Sequence, residues 1–138
     1  MTTIQGRALV EGSASAEALT AKEPLSFWGG YDQFTGQIID RRHPLSGTNA
    51  IGKVLVLPGS RGSSTTAAVL LEAVRRHNAP AVIITIGTDR FLTLAAIVAF
   101  EMYSHTVGIV SVEAGDFEKL LGASEIQVDV DGTITRVS

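Results

Sequence analysis

The chain has 138 residues, 45% of them hydrophobic, and a formal net charge of −3, which predicts one compact domain over residues 1–138. Its lack of cysteine excludes disulfides, cysteine-ligated zinc and an iron–sulfur cluster held by this chain alone. Since the sequence has no basic run, no signal-peptide core and no apolar run of membrane-spanning length, we expect a cytoplasmic protein that binds neither nucleic acid nor membranes.

The N-terminal third predicts short strands separated by loops. Residues 4–11 alternate loosely and predict a first strand that stops at Gly12, followed by strand candidates at 15–20 and 25–27. Residues 28–36 form a glycine-rich loop that carries the only tryptophan, Trp28. This side chain is expected either to plug a corner of the core or to line a cleft.

Charge is concentrated in the loop that follows a brief predicted strand at 37–40. The charged residues are Asp40, Arg41, Arg42 and His43. One interpretation is a solvated surface loop with an Asp/Arg pair. The other is a pocket wall, in which Arg41, Arg42 or His43 faces an anionic substrate.

The strongest local signal is the loop at 58–66. An apolar run at 54–57 predicts a buried strand, and the apolar spacing that follows predicts a helix over 65–76. Between them lie Gly59, Arg61, Gly62 and a row of hydroxyl residues, next to a helix N-terminus whose free N–H groups attract anions. The loop predicts a pocket for a carboxylate or phosphate, although Ser63, Ser64 or Thr65 could serve only as a helix cap. Neither a Walker phosphate loop nor a three-glycine dinucleotide fingerprint is present.

The second half of the chain predicts an α/β domain. A strand at 81–86 completes a βαβ unit, and Gly87 to Asp89 form a turn and an N-cap for a helix over 90–103. That helix is apolar on nearly all sides, which predicts burial under a partner chain or between layers. A strand at 107–112, a helical turn at 116–121 and a hairpin around Asp131-Gly132 follow. The expected fold class is α/β, with parallel βαβ units in the middle and β hairpins at both ends.

Several segments, in this order, resemble the small subunit or small domain of the aconitase X family. Gly62-Ser63-Ser64 is similar to the Gly-Ser-Ser-Arg motif of aconitase swivel domains, and the further matching segments are 40–47, 52–65, 69–72, 79–81 and 96–103. The resemblance implies a swivelling β/β/α domain that is half of an enzyme. It also implies a large aconitase X subunit as partner, whose cysteines hold an iron–sulfur cluster or iron, with no metal bound by this chain.

The resemblance also implies roles for individual residues. Ser63 corresponds to the serine that removes the proton α to the substrate carboxylate, while the metal centre takes the leaving hydroxyl. Substrate binding falls to Arg61, Gly62, Ser64, Thr65, Asp40 and His43, of which Asp40 and His43 match an Asp-x-x-His-Pro segment. Aconitases proper have an arginine where this chain has Thr65, which argues against a citrate-like substrate and leaves Arg61 to supply the charge. Whether Ser63 or Ser64 is the base stays open, because a shift of one residue in the helix start exchanges them.

The activities that the resemblance implies are dehydrations of small hydroxy acids. We favour cis-3-hydroxy-L-proline, giving Δ1-pyrroline-2-carboxylate, which is the activity typical of bacterial members of the family. The chain has 18% charged residues, fewer than is usual for hyperthermophile proteins, and this favours a mesophilic bacterial source. The alternatives are mevalonate 5-phosphate as substrate, or a non-catalytic domain that binds anions. A phosphohistidine carrier is disfavoured, since Thr65 and Thr66 stand where that chemistry needs a histidine.

Overall fold

The computed structural model describes residues 1–62 and 64–138. The mixed α/β class that we predicted is confirmed. The strands are β1 (Thr2–Gln5), β2 (Arg7–Val10), β3 (Ala14–Thr20), β4 (Val54–Val56), β5 (Val82–Ile86), β6 (Gly108–Val112), β7 (Glu125–Val128) and β8 (Thr133–Arg136), and the helices are α1 (Ser64–Arg75), α2 (Arg90–Tyr103) and α3 (Ala114–Leu120).

One eight-stranded sheet in the order β1-β8-β7-β3-β4-β5-β6-β2 organises the chain. Strands β3, β4, β5 and β6 run parallel, with α1 and α2 as the crossovers that the βαβ pattern predicts. The outer pairs are antiparallel. The predicted C-terminal hairpin is confirmed, and Gly132, at φ 92° in its turn, has a backbone conformation that favours glycine.

The N-terminal hairpin that we expected does not form. The predicted first strand divides at Gly6, and its halves join opposite ends of the sheet, β1 with β8 and β2 with β6. Gly6 N–H donates to Gly132 O over 2.9 Å, and a Cβ on Gly6 would lie 2.5 Å from Val110 Cγ1. Only glycine allows this close approach, so the chain changes neighbours here and nearly closes the sheet on itself.

Strands β4, β5 and β6 are buried on both faces along most of their length, as is usual for parallel sheets. Leu55 and Ile83 face a cluster with α1 and α2, whereas Val54 and Val56 face a cluster with α3 and the antiparallel strands. The first cluster extends to Phe27 and Tyr31, whose rings stack 5.4 Å apart. Trp28, by contrast, is 67% exposed, which rules out the core-plug alternative for this side chain.

Helix α2 begins and ends at the predicted residues, but its burial is one-sided within this chain. Leu92, Ala95, Ala96 and Ala99 are buried. The opposite side carries Leu94, Ile97 and Phe100, which are 56%, 47% and 57% exposed. The helix is therefore not enclosed between layers of its own chain.

Asp89 ties α2 to the loop that precedes α1. Its Oδ1 accepts the backbone N–H groups of Phe91 and Leu92, both at 3.1 Å, which confirms the predicted N-cap. Its Oδ2 accepts the backbone N–H and the hydroxyl of Ser60, each at 2.7 Å. On the other side of the loop, Arg61 N–H donates to Leu25 O over 2.9 Å. The loop is thus held from both sides.

We expect Asp89→Ala to lower the free energy of unfolding by about 2–4 kcal/mol, because it removes a helix cap and the acceptor for Ser60. Asp89→Asn keeps the cap but turns an NH₂ group towards the Ser60 donors, so it should cost less, about 1–2 kcal/mol. Urea denaturation of the two variants, with Glu101→Ala on the same helix as control, tests this. An Asn variant as stable as the wild type would show that the Ser60 bonds contribute nothing.

Candidate functional site

Three segments that are distant in sequence surround one cavity of about 380 Å³, which we call the arginine cavity. It is lined by Glu23, Pro24, Asp40, Arg42, His43 and Arg61. Three predicted site residues, Asp40, His43 and Arg61, therefore meet. From the charged loop the lining includes Arg42 and not Arg41.

Asp40 shapes the turn that presents this wall. Its Oδ1 accepts the backbone N–H of Arg42 over 3.0 Å, and its main-chain oxygen accepts that of His43, also over 3.0 Å. Such a side-chain bond to the residue two positions on is typical of aspartate in turns. One oxygen of the Asp40 carboxylate is thus used to position Arg42.

His43 is buried, with 5% of its surface exposed, and both of its ring nitrogens are engaged. The backbone N–H of Leu45 donates to Nδ1 over 3.1 Å, so Nε2 is assigned the proton and donates to Glu23 O over 3.0 Å. The ring joins the turn at 40–45 to the segment that carries Glu23. In this arrangement it has no nitrogen left for a ligand, so the structure places the predicted residue as a support of the wall.

The guanidinium groups of Arg42 and Arg61 supply positive charge to the arginine cavity. Both residues are exposed. The ion pairs among the described residues are Lys53–Glu17, Arg75–Glu72, Arg76–Glu72 and Lys119–Asp116. Neither cavity arginine takes part in them. Guanidinium groups match carboxylates and phosphates in geometry, so the cavity can bind such an anion.

The predicted motif Gly62-Ser63-Ser64 continues from Arg61 into α1. A Cβ on Gly62 would lie 2.5 Å from the Oγ1 of the buried Thr66, so glycine lets the chain pass close to the helix. Ser63, the predicted base, lies outside the described residues. Helix α1 begins at Ser64, and the side chains of Ser64 and Thr65 are exposed in its first turn. The helix N-terminus that follows Arg61 in the chain adds to the attraction for an anion.

The described side chains do not fit an iron–sulfur cluster. The sequence has no cysteine, and residues 1–62 and 64–138 contain no group of three His, Asp or Glu side chains placed to hold a metal ion. In the same residues, no helix has the length and apolar character needed to cross a membrane.

Two contacts that shape the site were not predicted from the sequence. Glu23 lies in a short connection without a motif, and only the His43 bond to its carbonyl shows that it faces the charged turn. Asp89 was predicted as a helix cap, but its bonds to Ser60 join residues 29 positions apart. No local signal could have revealed either contact.

Comparison with known proteins gives consistent matches. The aconitase X swivel domain family matches residues 3–136. The chain is 48% identical over 103 residues to a cis-3-hydroxy-L-proline dehydratase of Pseudomonas aeruginosa, a match that covers 75% of this chain and 18% of that protein. It is 36% identical to a phosphomevalonate dehydratase small subunit of Methanothermobacter thermautotrophicus, over 91% of this chain and 92% of that one.

A solved structure shares the fold over its full length. The crystal structure of Thermococcus kodakaraensis aconitase X in its holo-form superposes with a TM-score of 0.86 and 28% identity, covering 100% of both chains. The fold of this chain, with its nearly closed sheet, and its sequence match over residues 3–136 therefore indicate the same family. This chain belongs to the aconitase X swivel domain family.

Proposed function

We propose that this chain is the small subunit of an aconitase X-type hydro-lyase, and that residues 1–138 act as one swivel domain that closes over a small hydroxy acid. The observation that carries the proposal is the arginine cavity, in which Arg42 and Arg61 lie beside the loop that leads into α1. A carboxylate bound there would contact Arg61, which precedes Ser63 by two residues in the sequence. The large subunit provides the other wall of the site.

The substrate that we favour is cis-3-hydroxy-L-proline, with Δ1-pyrroline-2-carboxylate as product. Support comes from the 48% identity to the Pseudomonas dehydratase. That relative is a much longer protein, of which this chain spans 18%.

Mevalonate 5-phosphate is the second candidate substrate. The Methanothermobacter relative is named as a small subunit, and the match covers 92% of it. A separate chain of about this size therefore occurs in a phosphomevalonate dehydratase, which supports mevalonate 5-phosphate as the alternative substrate.

Ser63 is proposed as the base that removes the proton α to the substrate carboxylate. A serine hydroxyl is a very weak base in water, so this role needs a closed site in which dipoles and positive charge stabilise the alkoxide. The start of α1 and Arg61 are the parts of this chain that supply such charge. Ser64, the first residue of the helix, and the helix N–H groups would add to the binding of the carboxylate by Arg42 and Arg61.

The iron–sulfur cluster or iron of the family is assigned to the large subunit, since this chain has no cysteine.

We further propose that the large subunit covers the exposed apolar side of α2. There Leu9 and Val10 of β2 and Ile97 and Phe100 of α2 line a groove of about 390 Å³, with Glu11 and Glu101 beside it. Exposed apolar clusters of this kind mark protein interfaces, and the Pseudomonas relative is a much longer protein than this matched region.

Replacing Ser63 by alanine in the assembled two-subunit enzyme should reduce kcat about 10²–10⁴-fold, the range for loss of a general base. Turnover of cis-3-hydroxy-L-proline and of mevalonate 5-phosphate is measured side by side after anaerobic co-expression. Ser64→Ala is the matched comparison, and Ser13→Ala, an exposed serine between β2 and β3, is the control. If Ser63→Ala and Ser64→Ala both keep wild-type turnover, the loop holds no base. An assembled complex that is inert towards both acids would favour the non-catalytic anion-binding domain.

The substitution Ile97→Lys should weaken assembly with the large subunit by about tenfold or more, because it places a charge in an apolar contact. The isolated chain should keep its stability, since Ile97 is 47% exposed there. Val130→Lys, at a position that is 56% exposed in the β7–β8 turn, is the control. Assembly is measured by titration of one subunit with the other, and equal affinities for both variants would place the interface elsewhere.

A further inference from the structure

The arginine cavity contains negative as well as positive side chains. Glu23 and Asp40 line it together with Arg42 and Arg61. None of these four residues takes part in an ion pair among the described residues. The cavity therefore presents separate charges of both signs, and a ligand that carries both signs can satisfy them at once.

The backbone around these charges is fixed by hydrogen bonds. Arg61 N–H is bonded to Leu25 O, and Glu23 O accepts the ring N–H of His43. The backbone N–H of Arg42 donates to the carboxylate of Asp40. The backbone positions from which these charged side chains extend into the cavity are thus fixed.

Of the two carboxylates, Glu23 is the more accessible to a ligand. Asp40 already accepts the N–H of Arg42 through Oδ1, and the neighbouring His43 has used both ring nitrogens. Glu23 is exposed, whereas Asp40 is half-buried. The charged groups that a ligand meets are therefore the Glu23 carboxylate, two guanidinium groups and the remaining oxygen of Asp40.

The two candidate substrates differ in the charge that this arrangement would meet. Both carry a carboxylate and a hydroxyl group on the β carbon. Hydroxyproline adds a ring ammonium, which a carboxylate attracts, whereas mevalonate 5-phosphate adds a phosphate, which carries about −1.5 to −2 charges at neutral pH and which a carboxylate repels.

We propose that Glu23 binds the ring ammonium of a zwitterionic imino acid whose carboxylate is bound by Arg42 and Arg61, so that this cavity selects an amino-acid substrate over a phosphorylated hydroxy acid. The inference rests on the proposed function, because it assumes that the substrate of the hydro-lyase occupies this cavity. It assigns a specificity role to a residue outside the Gly62-Ser63-Ser64 motif. It also gives Arg42, rather than His43, the direct contact with substrate from the charged turn.

The test compares two ligands of the same ring size and the same carboxylate. L-Proline carries the ammonium, and cyclopentanecarboxylate lacks the nitrogen. Calorimetric titration of the assembled two-subunit enzyme at neutral pH should give a dissociation constant for L-proline at least about tenfold lower than that for cyclopentanecarboxylate.

Glu23→Gln removes the negative charge with almost no change in shape, and should bring the two constants to within about threefold, mainly by weakening L-proline. Glu118→Gln, the same change at an exposed position on α3, should leave the wild-type ratio. Arg42→Gln and Arg61→Gln should weaken both ligands by a similar factor, about tenfold each, because both ligands share the carboxylate.

Equal constants for the two ligands in the wild type, a ratio that survives Glu23→Gln, or no measurable binding of L-proline would each overturn the inference. These outcomes are distinct from failure of the proposed function, which is an assembled enzyme that turns over neither hydroxy acid. Turnover of cis-3-hydroxy-L-proline with a KM that Glu23→Gln leaves unchanged would uphold the function and reject the role of Glu23. Turnover of mevalonate 5-phosphate alone would reject the amino-acid selection directly.

Discussion

The carboxylate of Asp89 joins the helix that covers the sheet to the loop that forms the site. It accepts four hydrogen bonds, two from the first turn of α2 and two from Ser60, which is about as many as a carboxylate can accept. Ser60 directly precedes Arg61, so the position of this arginine follows from the position of α2. The bond from Arg61 N–H to Leu25 O fixes the same loop from the opposite side. Hydrogen bonds therefore hold together the loop before α1, the start of α2 and the part of the cavity wall that contains Arg61.

Those elements that depend on neighbouring residues could be predicted from the sequence. The bounds of α2 follow from the cap at Asp89 and the apolar spacing, and the last hairpin follows from Asp131-Gly132. The division of the first strand at Gly6 could not be predicted, because it is set by pairing with β6 and β8, whose partner residues lie 99 to 134 positions further along the chain. Periodicity shows that residues 4–11 are extended, but it contains no information about which strands they pair with.

The candidate site was predictable to a similar extent. The row of hydroxyl and glycine residues before α1 identified the loop with Arg61, and the resemblance identified Asp40 and His43, all of which the structure brings to one cavity or its rim. The role of each residue within the cavity could be assigned only from the three-dimensional structure. A histidine beside two arginines suggests a ligand contact, yet burial and two hydrogen bonds make His43 part of the wall. Glu23 has no motif at all, and its place follows only from the folding of the chain around that histidine.

The near closure of the sheet also has a consequence for the order in which the molecule forms. Thr2 pairs with Arg136, and Arg7 pairs with Ser111. During synthesis, β1 and β2 must therefore stay unpaired until the strands with which they pair have been made, since the partner residues lie 99 to 134 positions further along the chain. Until then the nascent chain carries two open sheet edges, which are the surfaces through which β proteins aggregate. The same topology that nearly closes the sheet in the folded domain therefore leaves these strands open to pairing with other chains while the protein is being made.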